Sequence, residues 1–479
     1  MALSDAVELT IAEAAAALAG GELSARALVE ATLARIEETE PYLHAYASVE
    51  AEAALAAADA ADRELDAGRG KGPLHGIPVS LKDIIYAEGT LTEAGSDARV
   101  GYPSPYDATV AARLREAGAI VVGKVVTHEF ATGRNEPPTC NPWAPDGYYA
   151  GSSSIGSGVS VAARSSFASI GTDTGGSVRF PAAINGVVGL KPTYGRISKH
   201  GVIPLGFSLD HVGTLTRTAE DAAIVLAATA GFDPADPASI DEPVEDYVAR
   251  LGDGVEGLRL GVERGYYLFE HLHPEVRAST HDAIETLAGL GAEIVELDIP
   301  ELAWAIPIWI VLYAAEAAAH HRYLLRRGVP YDPVVRFTME VGEFVTASQY
   351  LTAQRVRSQL RDAVRDAFET NRLDAIVAPG LPMPAVHMDD LHGDAGPVLM
   401  PNGATPLSGY LHHTFPANLT GQPCVAAPAG FSEDGLPISI QVLGRPFDEA
   451  TVLRVAHAYG GEHDWHRKAP ARPAGMEAS

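Results

Sequence analysis

The chain has 479 residues, with 35 lysines and arginines against 62 aspartates and glutamates, for a formal net charge of −27. With 47% hydrophobic and 20% charged residues the composition is globular, not disordered. An acid excess of this size works against non-specific attraction to nucleic-acid phosphates or anionic lipid, so neither is an expected partner.

Cys140 and Cys424 stand far apart and form no CxxC pair, so neither a disulfide framework nor a thiolate zinc site is indicated, and reduced cytoplasmic thiols are the expectation. The opening residues Met1-Ala2-Leu3-Ser4-Asp5 lack a basic n-region and a cleavable apolar stretch. No apolar run reaches the about 18 residues of a membrane span, so the expectation is a soluble, unexported protein. Residues 10–66 read as helical. Thr10 with Glu13 makes a capping-box pattern, Ser24 opens a stretch with Leu28, Thr32, Leu33 and Ile36 on one face, and the Ala-rich stretch after Glu50 continues it.

The pattern then changes to short apolar runs: Ile77 to Ile85, Ile120 to Val126, Phe167 to Ile170, Leu258 to Val262, Ile294 to Ile299, Ala375 to Ala378 and Ile438 to Leu443. These read as buried strands, and helical patterns separate most of them. The alternation predicts an α/β fold, a mixed twisted central β-sheet flanked on both faces by α-helices. From about 303 to 370 a longer helical pattern carries Trp304, Trp309, Tyr313, His320 and Tyr323, a candidate cap over a site, although helical aromatic stripes are mostly core. Residues 380–410, rich in Pro, Gly and Asp, read as an exposed loop, and the tail after about 466 as frayed. We read one domain over 1–479, with N-terminal helices over 1–66, a core carrying the loops of interest over 70–230, the helical region over 300–370 and the rest of the core over 371–465.

The most unusual segment runs from Gly151 to Thr193 and holds two loops of small residues, Gly151 to Ser157 and Gly171 to Ser177. A P-loop needs GxxxxGK[ST] and a dinucleotide site needs GxGxxG after a first strand; neither occurs, so phosphate binding is unsupported. The GxSxG nucleophile elbow is absent too. Gly175-Gly176-Ser177 reads either as an ordinary turn or as an oxyanion hole with a serine at its edge, since residues without Cβ let backbone N–H groups converge on a substrate carbonyl.

The segment as a whole resembles the amidase signature family of serine hydrolases. Gly171 to Ala183 and Gly186 to Thr193 match that family's GTDTGGSxRxPAA and GxxGLKPT stretches. Leu74-His75-Gly76-Ile77-Pro78-Val79-Ser80-Leu81-Lys82-Asp83 resembles its HGIPxxxKD strand, and Glu129-Phe130-Ala131 and Asn141-Pro142-Trp143 also fit. Ser208-Leu209-Asp210 with Gly213 and Leu215-Thr216-Arg217-Thr218 resembles its LDxxGxLTRT segment. Pro416 to Pro423, Gly435-Leu436-Pro437, Gln441 and Leu443 to Pro446 resemble its C-terminal motifs. Nearly the full chain is covered in family order.

The resemblance implies a Ser-cisSer-Lys triad, with Ser177 as nucleophile, Ser153 as the cis serine and Lys82 as the base. It implies oxyanion-hole N–H groups from Thr174, Gly175, Gly176 and Ser177, with Ser154 as a supporting serine. Ser152 and Ile155 stand where the family usually has glycine, a departure at the cis-peptide loop. A serine at its free pKa is a poor nucleophile, and a lysine can act as its base only when neutral, a state favoured by burial. Ser153 would relay the Ser177 proton to Lys82 and return it to the leaving nitrogen.

Asp173 and Arg179 flank the nucleophile and read as buried hydrogen-bonding groups holding the loop. Thr132, Tyr148, Tyr149, Trp304, Trp309 and Tyr313 are candidate pocket residues, which favour an apolar or aryl substituent over a charged one. His320-His321 and His412-His413 lack HExxH-like spacing, so no metal is expected, and no cofactor. The implied activity is hydrolysis of a small-molecule amide, with ester, urea and carbamate (urethane) cleavage as variants. Two alternatives stay open: the A subunit of a tRNA-dependent amidotransferase, and a catalytically silent binding protein of the same fold. A homodimer is compatible with the sequence, which demands none.

Overall fold

The computed structural model describes residues 3–133, 136–270, 272–392 and 406–471. Eleven strands form one sheet: β1 (Tyr46–Val49), β2 (Pro78–Lys82), β3 (Ile120–Val125), β4 (Ala168–Asp173), β5 (Val188–Lys191), β6 (His211–Thr216), β7 (Arg259–Glu263), β8 (Glu293–Leu297), β9 (Ala375–Pro379), β10 (Cys424–Phe431) and β11 (Pro437–Gly444). Their order across the sheet is β1-β3-β2-β4-β6-β5-β10-β11-β9-β7-β8. Pairing is parallel through β3, β2 and β4 and again through β9, β7 and β8, and antiparallel across the middle. The mixed α/β sheet expected from the alternation of runs is the one observed.

Val79, Leu81, Ala168 and Ile170 are fully buried, as strands covered on both faces require. Because β2 and β4 are parallel, with Leu81 opposite Ile170, their last residues Lys82 and Asp173 emerge at the same edge of the sheet. Open α/β sheets place their sites off the carboxyl ends of such strands.

The capping box of Thr10 and Glu13 starts the helix Ile11–Ala19, and Ser24 caps the helix Ala25–Leu43, which buries Leu28, Thr32 and Ile36. The helical reading of 10–66 is corrected at β1. That strand pairs antiparallel with β3 and is too short to display an alternating pattern, and the Tyr46 hydroxyl anchors it on the Ser165 carbonyl at 2.6 Å. Strands β5, β6 and β10 are not among the runs read from the sequence. β6 buries His211, Thr214 and Thr216 because neighbours cover both of its faces, and β10 carries Pro428 beside a register break.

The exposed-loop reading of 380–410 is also corrected. Leu381, Met383, Ala385 and Leu391 are buried in a cluster with Tyr149, Phe180 and Tyr410, and Pro406–His412 is helical; 393–405 lie outside the described residues. Turn-forming composition reports on the backbone, not on what packs over it. Past 466 the chain is still held, since Arg164 Nη2 donates to the carbonyls of His466 and Lys468.

The 303–370 region forms the helices Ala305–Arg326, Pro333–Gly342 and Ala347–Asn371. By length and composition Pro300–Arg326 meets the requirement for a membrane span, with a mean hydropathy of 1.6 over its most apolar window, which corrects the expectation that no stretch does. Its apolar face is used for packing: Leu312, Tyr313, Ala317 and Ala318 are buried, and the Trp309 ring stacks on Phe415 at 4.2 Å.

Candidate active site

Lys82 ends β2 with its side chain fully buried, and Nζ donates to Ser153 Oγ at 2.8 Å and to Thr172 Oγ1 at 2.9 Å. Burial lowers its pKa from 10.5 to about 7, against the pull of Asp210 and Asp173. Its partners are thus two hydroxyls, each able to accept from an ammonium and, in the case of Ser153, to donate to a neutral amine.

Ser153 follows a cis peptide bond from Ser152, and its carbonyl accepts the His128 N–H at 3.3 Å. The next residue ties the two loops together: Ser154 N donates to the Ser177 carbonyl at 3.3 Å. Ser154 Oγ donates to Thr172 O at 3.1 Å and accepts Thr172 N at 3.2 Å, which locks the first loop to β4. Lys82 and Ser153 are fully buried whereas Ser177 keeps 9% exposure, so of the three only Ser177 is open to a substrate. The two departures from the family pattern have separate places. Ile155 opens the helix Ile155–Ala162 and is fully buried in the main core, while the Ser152 hydroxyl lies within 2.9 Å of where a Cβ on Gly133 would stand.

Asp173 ends β4 and takes Arg179 Nε and Nη2 at 3.1 Å each and Asn418 Nδ2 at 2.8 Å. Burial alone would raise its pKa, but the Arg179 guanidinium holds it well below the usual carboxylate range. Arg179 Nη2 reaches further, to Thr414 O and Asn418 Oδ1 at 2.8 Å each, so the helix after Ser177 is pinned to the segment 414–418. The two glycines before Ser177 are required by close approach. A Cβ on Gly175 would stand 2.8 Å from Trp309 Cζ2 and Phe415 Cε1, and Gly176, at φ +124°, has the Thr414 side chain where a Cβ would go.

Of the four N–H groups implied for the oxyanion hole, that of Gly176 is corrected: it donates to Asp173 Oδ1 at 2.7 Å and is already spent on holding the turn. Thr174, Gly175 and Ser177 remain. The Thr174 carbonyl accepts Trp309 Nε1 at 2.8 Å, which turns the Gly175 N–H of the same planar peptide away from Trp309.

The candidate pocket residues do not converge. Trp309 backs the Gly175 turn, Tyr313 stacks on Trp309 at 4.5 Å, and Trp304 is exposed at the helix start. Tyr149 is buried against His128, with OH to Nε2 at 3.5 Å, and Thr132 Oγ1 donates to the Glu129 carbonyl. Tyr148 lines a separate hollow with Met383 and His387. The cavity of about 210 Å³ that touches Thr172 and Thr174 is walled instead by Ile84, Val202, Ile203, Phe207 and Asp210, among others. The paired histidines face tyrosines: His321 Nδ1 lies 2.9 Å from Tyr331 OH, and His412 and His413 reach the carbonyls of Tyr266 and Tyr267. Thr172, Thr414 and Asn418 are the site residues that sequence reasoning missed. Thr172 and Asn418 stand inside the family motifs, but only the fold turns their side chains toward Lys82 and Asp173, and Thr414, outside those motifs, donates its hydroxyl to the Gly175 carbonyl.

A buried lysine bonded to the serine of a cis Ser-Ser peptide, beside a serine that follows a Gly-Gly turn on a mixed sheet, is the arrangement of an amidase signature protein. The chain belongs to this family: the amidase family pattern matches residues 27–453. It is similar to an amidase of Pseudomonas putida, 42% identical over 473 residues that cover 98% of this chain and 99% of the other. It is also similar to the A subunit of the glutamyl-tRNA(Gln) amidotransferase of Myxococcus xanthus (strain DK1622), 40% identical over 493 residues covering 96% and 98%. Among solved structures it resembles the peptide amidase of Stenotrophomonas maltophilia, with a TM-score of 0.81 and 32% identity over 95% of this chain and 96% of that one.

Proposed function

We propose that the protein hydrolyses the C–N bond of a small-molecule amide by acyl transfer to Ser177, with Ser153 and Lys82 as proton relay and base; aryl amides, esters and carbamates are cleaved by the same chemistry. The observation that carries this reading is Lys82 itself, fully buried, bonded to two hydroxyls and brought to a pKa of about 7. A neutral Lys82 takes the Ser153 proton as Ser153 takes that of Ser177, and Ser177 Oγ adds to the substrate carbonyl carbon. The N–H groups of Thr174, Gly175 and Ser177 meet the oxyanion. The C–N bond then breaks as the proton returns through Ser153 to the leaving nitrogen. Water attacks the acyl-Ser177 ester by the same relay, giving the acid and the free serine.

The test is amine and alcohol release from a matched aryl amide, aryl ester, aryl carbamate and primary amide, with wild type beside Ser177→Ala. Turnover and an acyl mass on Ser177 are expected in wild type, and loss of both in the variant; equal turnover by Ser177→Ala would overturn the reading. The 40% identity to the A subunit of an amidotransferase supports a second reading, in which the same acyl transfer releases ammonia within a complex. Primary-amide cleavage that needs added partner subunits would favour it; stand-alone cleavage of aryl amides would count against it.

A further inference from the structure

Asp210 stands immediately before β6, buried, outside the triad and outside the Asp173–Arg179 lattice. It accepts the Thr174 hydroxyl at 2.6 Å, Leu205 N at 2.9 Å and Gly206 N at 3.0 Å. Thr174 is therefore clamped twice, by Asp210 through its hydroxyl and by Trp309 through its carbonyl. That carbonyl belongs to the peptide whose N–H is the Gly175 donor, so holding Thr174 holds the aim of that donor. Asp210, Thr174 and Thr172 also line one cavity, and Thr172 is the second partner of Lys82.

The charged and titratable groups facing Lys82 are Asp210 from the 203–210 loop, Asp173 from β4 and His128 from the segment after β3. Asp173 is neutralised by Arg179 at 3.1 Å, and His128 is kept uncharged by burial, with a pKa of about 3. Around Asp210 stand Lys199, whose Nζ donates to Tyr194 OH at 3.0 Å and Phe207 O at 2.7 Å, Tyr194 itself, and Asp236 on the cavity wall. Among the described residues no guanidinium forks Asp210; burial raises its pKa, and Lys199 is the cation that acts against that rise.

We propose that Asp210 is a positioning residue for the hydrolysis: it fixes Thr174 in the oxyanion turn, and its carboxylate shares a cavity wall with Thr172, the second hydroxyl partner of the base Lys82. The inference rests on the function proposed above. Its two parts push in opposite directions when the charge is removed. Without the clamp the oxyanion donor loosens and the rate falls. Without the charge the ammonium form of Lys82 is less favoured, so the base becomes neutral at lower pH.

The test compares kcat and KM of wild type, Asp210→Asn, Asp210→Glu and Thr174→Val on an aryl amide from about pH 5 to 10. The Lys82 titration is read in parallel by NMR of 13C-lysine-labelled protein, which needs no turnover. For Asp210→Asn the expected result is a plateau kcat lower by at least about tenfold, little change in KM, and a rising limb and Lys82 midpoint displaced roughly one unit to lower pH. Thr174→Val is expected to lower the plateau and leave the limb in place; Asp210→Glu, which keeps the charge, is expected to leave the limb in place too. A folded Asp210→Asn with wild-type plateau and midpoint overturns the inference. If Asp210→Asn fails to fold, an unaltered plateau in Thr174→Val does so. With Ser177→Ala as control the two failures separate, because loss of the function reading shows as retained turnover there, whatever Asp210 does.

Discussion

Arg179 and Lys82 are both buried basic side chains that reach the end of β4, and the strand separates them. Arg179 bonds Asp173, while Lys82 bonds the adjacent Thr172, and successive residues of a strand point to opposite faces. On the Arg179 side a carboxylate receives two parallel N–H bonds; burial would weaken the charge, but Asp173 outweighs it and the guanidinium pKa is pushed above its ordinary value. On the Lys82 side the partners are hydroxyls, burial wins, and the amine loses its proton at about pH 7. The same depth of burial therefore leaves a permanent cation in one place and an amine that sheds its proton in the other, and the difference is one forked carboxylate. Lys191 sharpens the point. Its pKa also falls to about 7, but its Nζ donates to the carbonyls of Pro192 and Gln422, which cannot relay a proton.

The comparison breaks most directly at the base. Lys82→Met should cost about 10⁴-fold or more in amide hydrolysis. It should leave the melting temperature equal or higher, because a buried amine with no ion partner among the described residues is replaced by an apolar chain of similar length. Residual activity within tenfold of wild type would remove Lys82 from its role.

On the Arg179 side the large effect is in stability. Asp173→Asn leaves Arg179 charged and buried, an expected loss of about 3–5 kcal/mol in urea unfolding. Asp173→Asn combined with Arg179→Met should recover part of it, whereas an additive double variant would mean that the pair is not coupled.

pH separates the two sides more gently. Activity should rise through about pH 7 as Lys82 becomes neutral. In the fold Lys82 gives up its proton near pH 7 and in the unfolded chain only near 10.5, so between these values the unfolded state binds more protons and stability rises with pH. Lys82→Met should flatten that slope; an unchanged slope would assign it to other groups, Lys191 first. The smallest effect belongs to the surface. Arg365 pairs with Asp362 and Asp366 in the open, and Arg365→Ala should leave both the unfolding midpoint and turnover unchanged within error.

Much of the architecture was legible in the chain. The apolar runs marked β2, β3, β7, β8, β9 and β11, and the capping residues Thr10 and Ser24 start the helices they announce. The central antiparallel strands were not legible, because β5 has only four residues and β5 and β6 bury lysine, threonine and histidine between neighbours the sequence does not name. At the site, the motif positions Ser153 and Ser177 lie on neighbouring loops beside Lys82 at the end of β2. The aromatic candidates do not, since Trp309 backs the Gly175 turn and Tyr313 stacks on Trp309 instead of lining the cavity beside Thr172 and Thr174.

What the sequence determined by itself is the chemistry on offer: a lysine at the end of a strand, two loops of small residues that permit close backbone approach, and a family pattern that spans nearly the whole chain. What only the tertiary structure decided is how each group is charged and aimed. Asn418 and Thr414 arrive from a distant segment to join Asp173 in occupying Arg179, Trp309 and Asp210 arrive to hold Thr174, and among the described residues no carboxylate closes on Lys82. Charge state and donor direction depend on partners at hydrogen-bond distance, and those partners become neighbours only when the sheet brings its strand ends together.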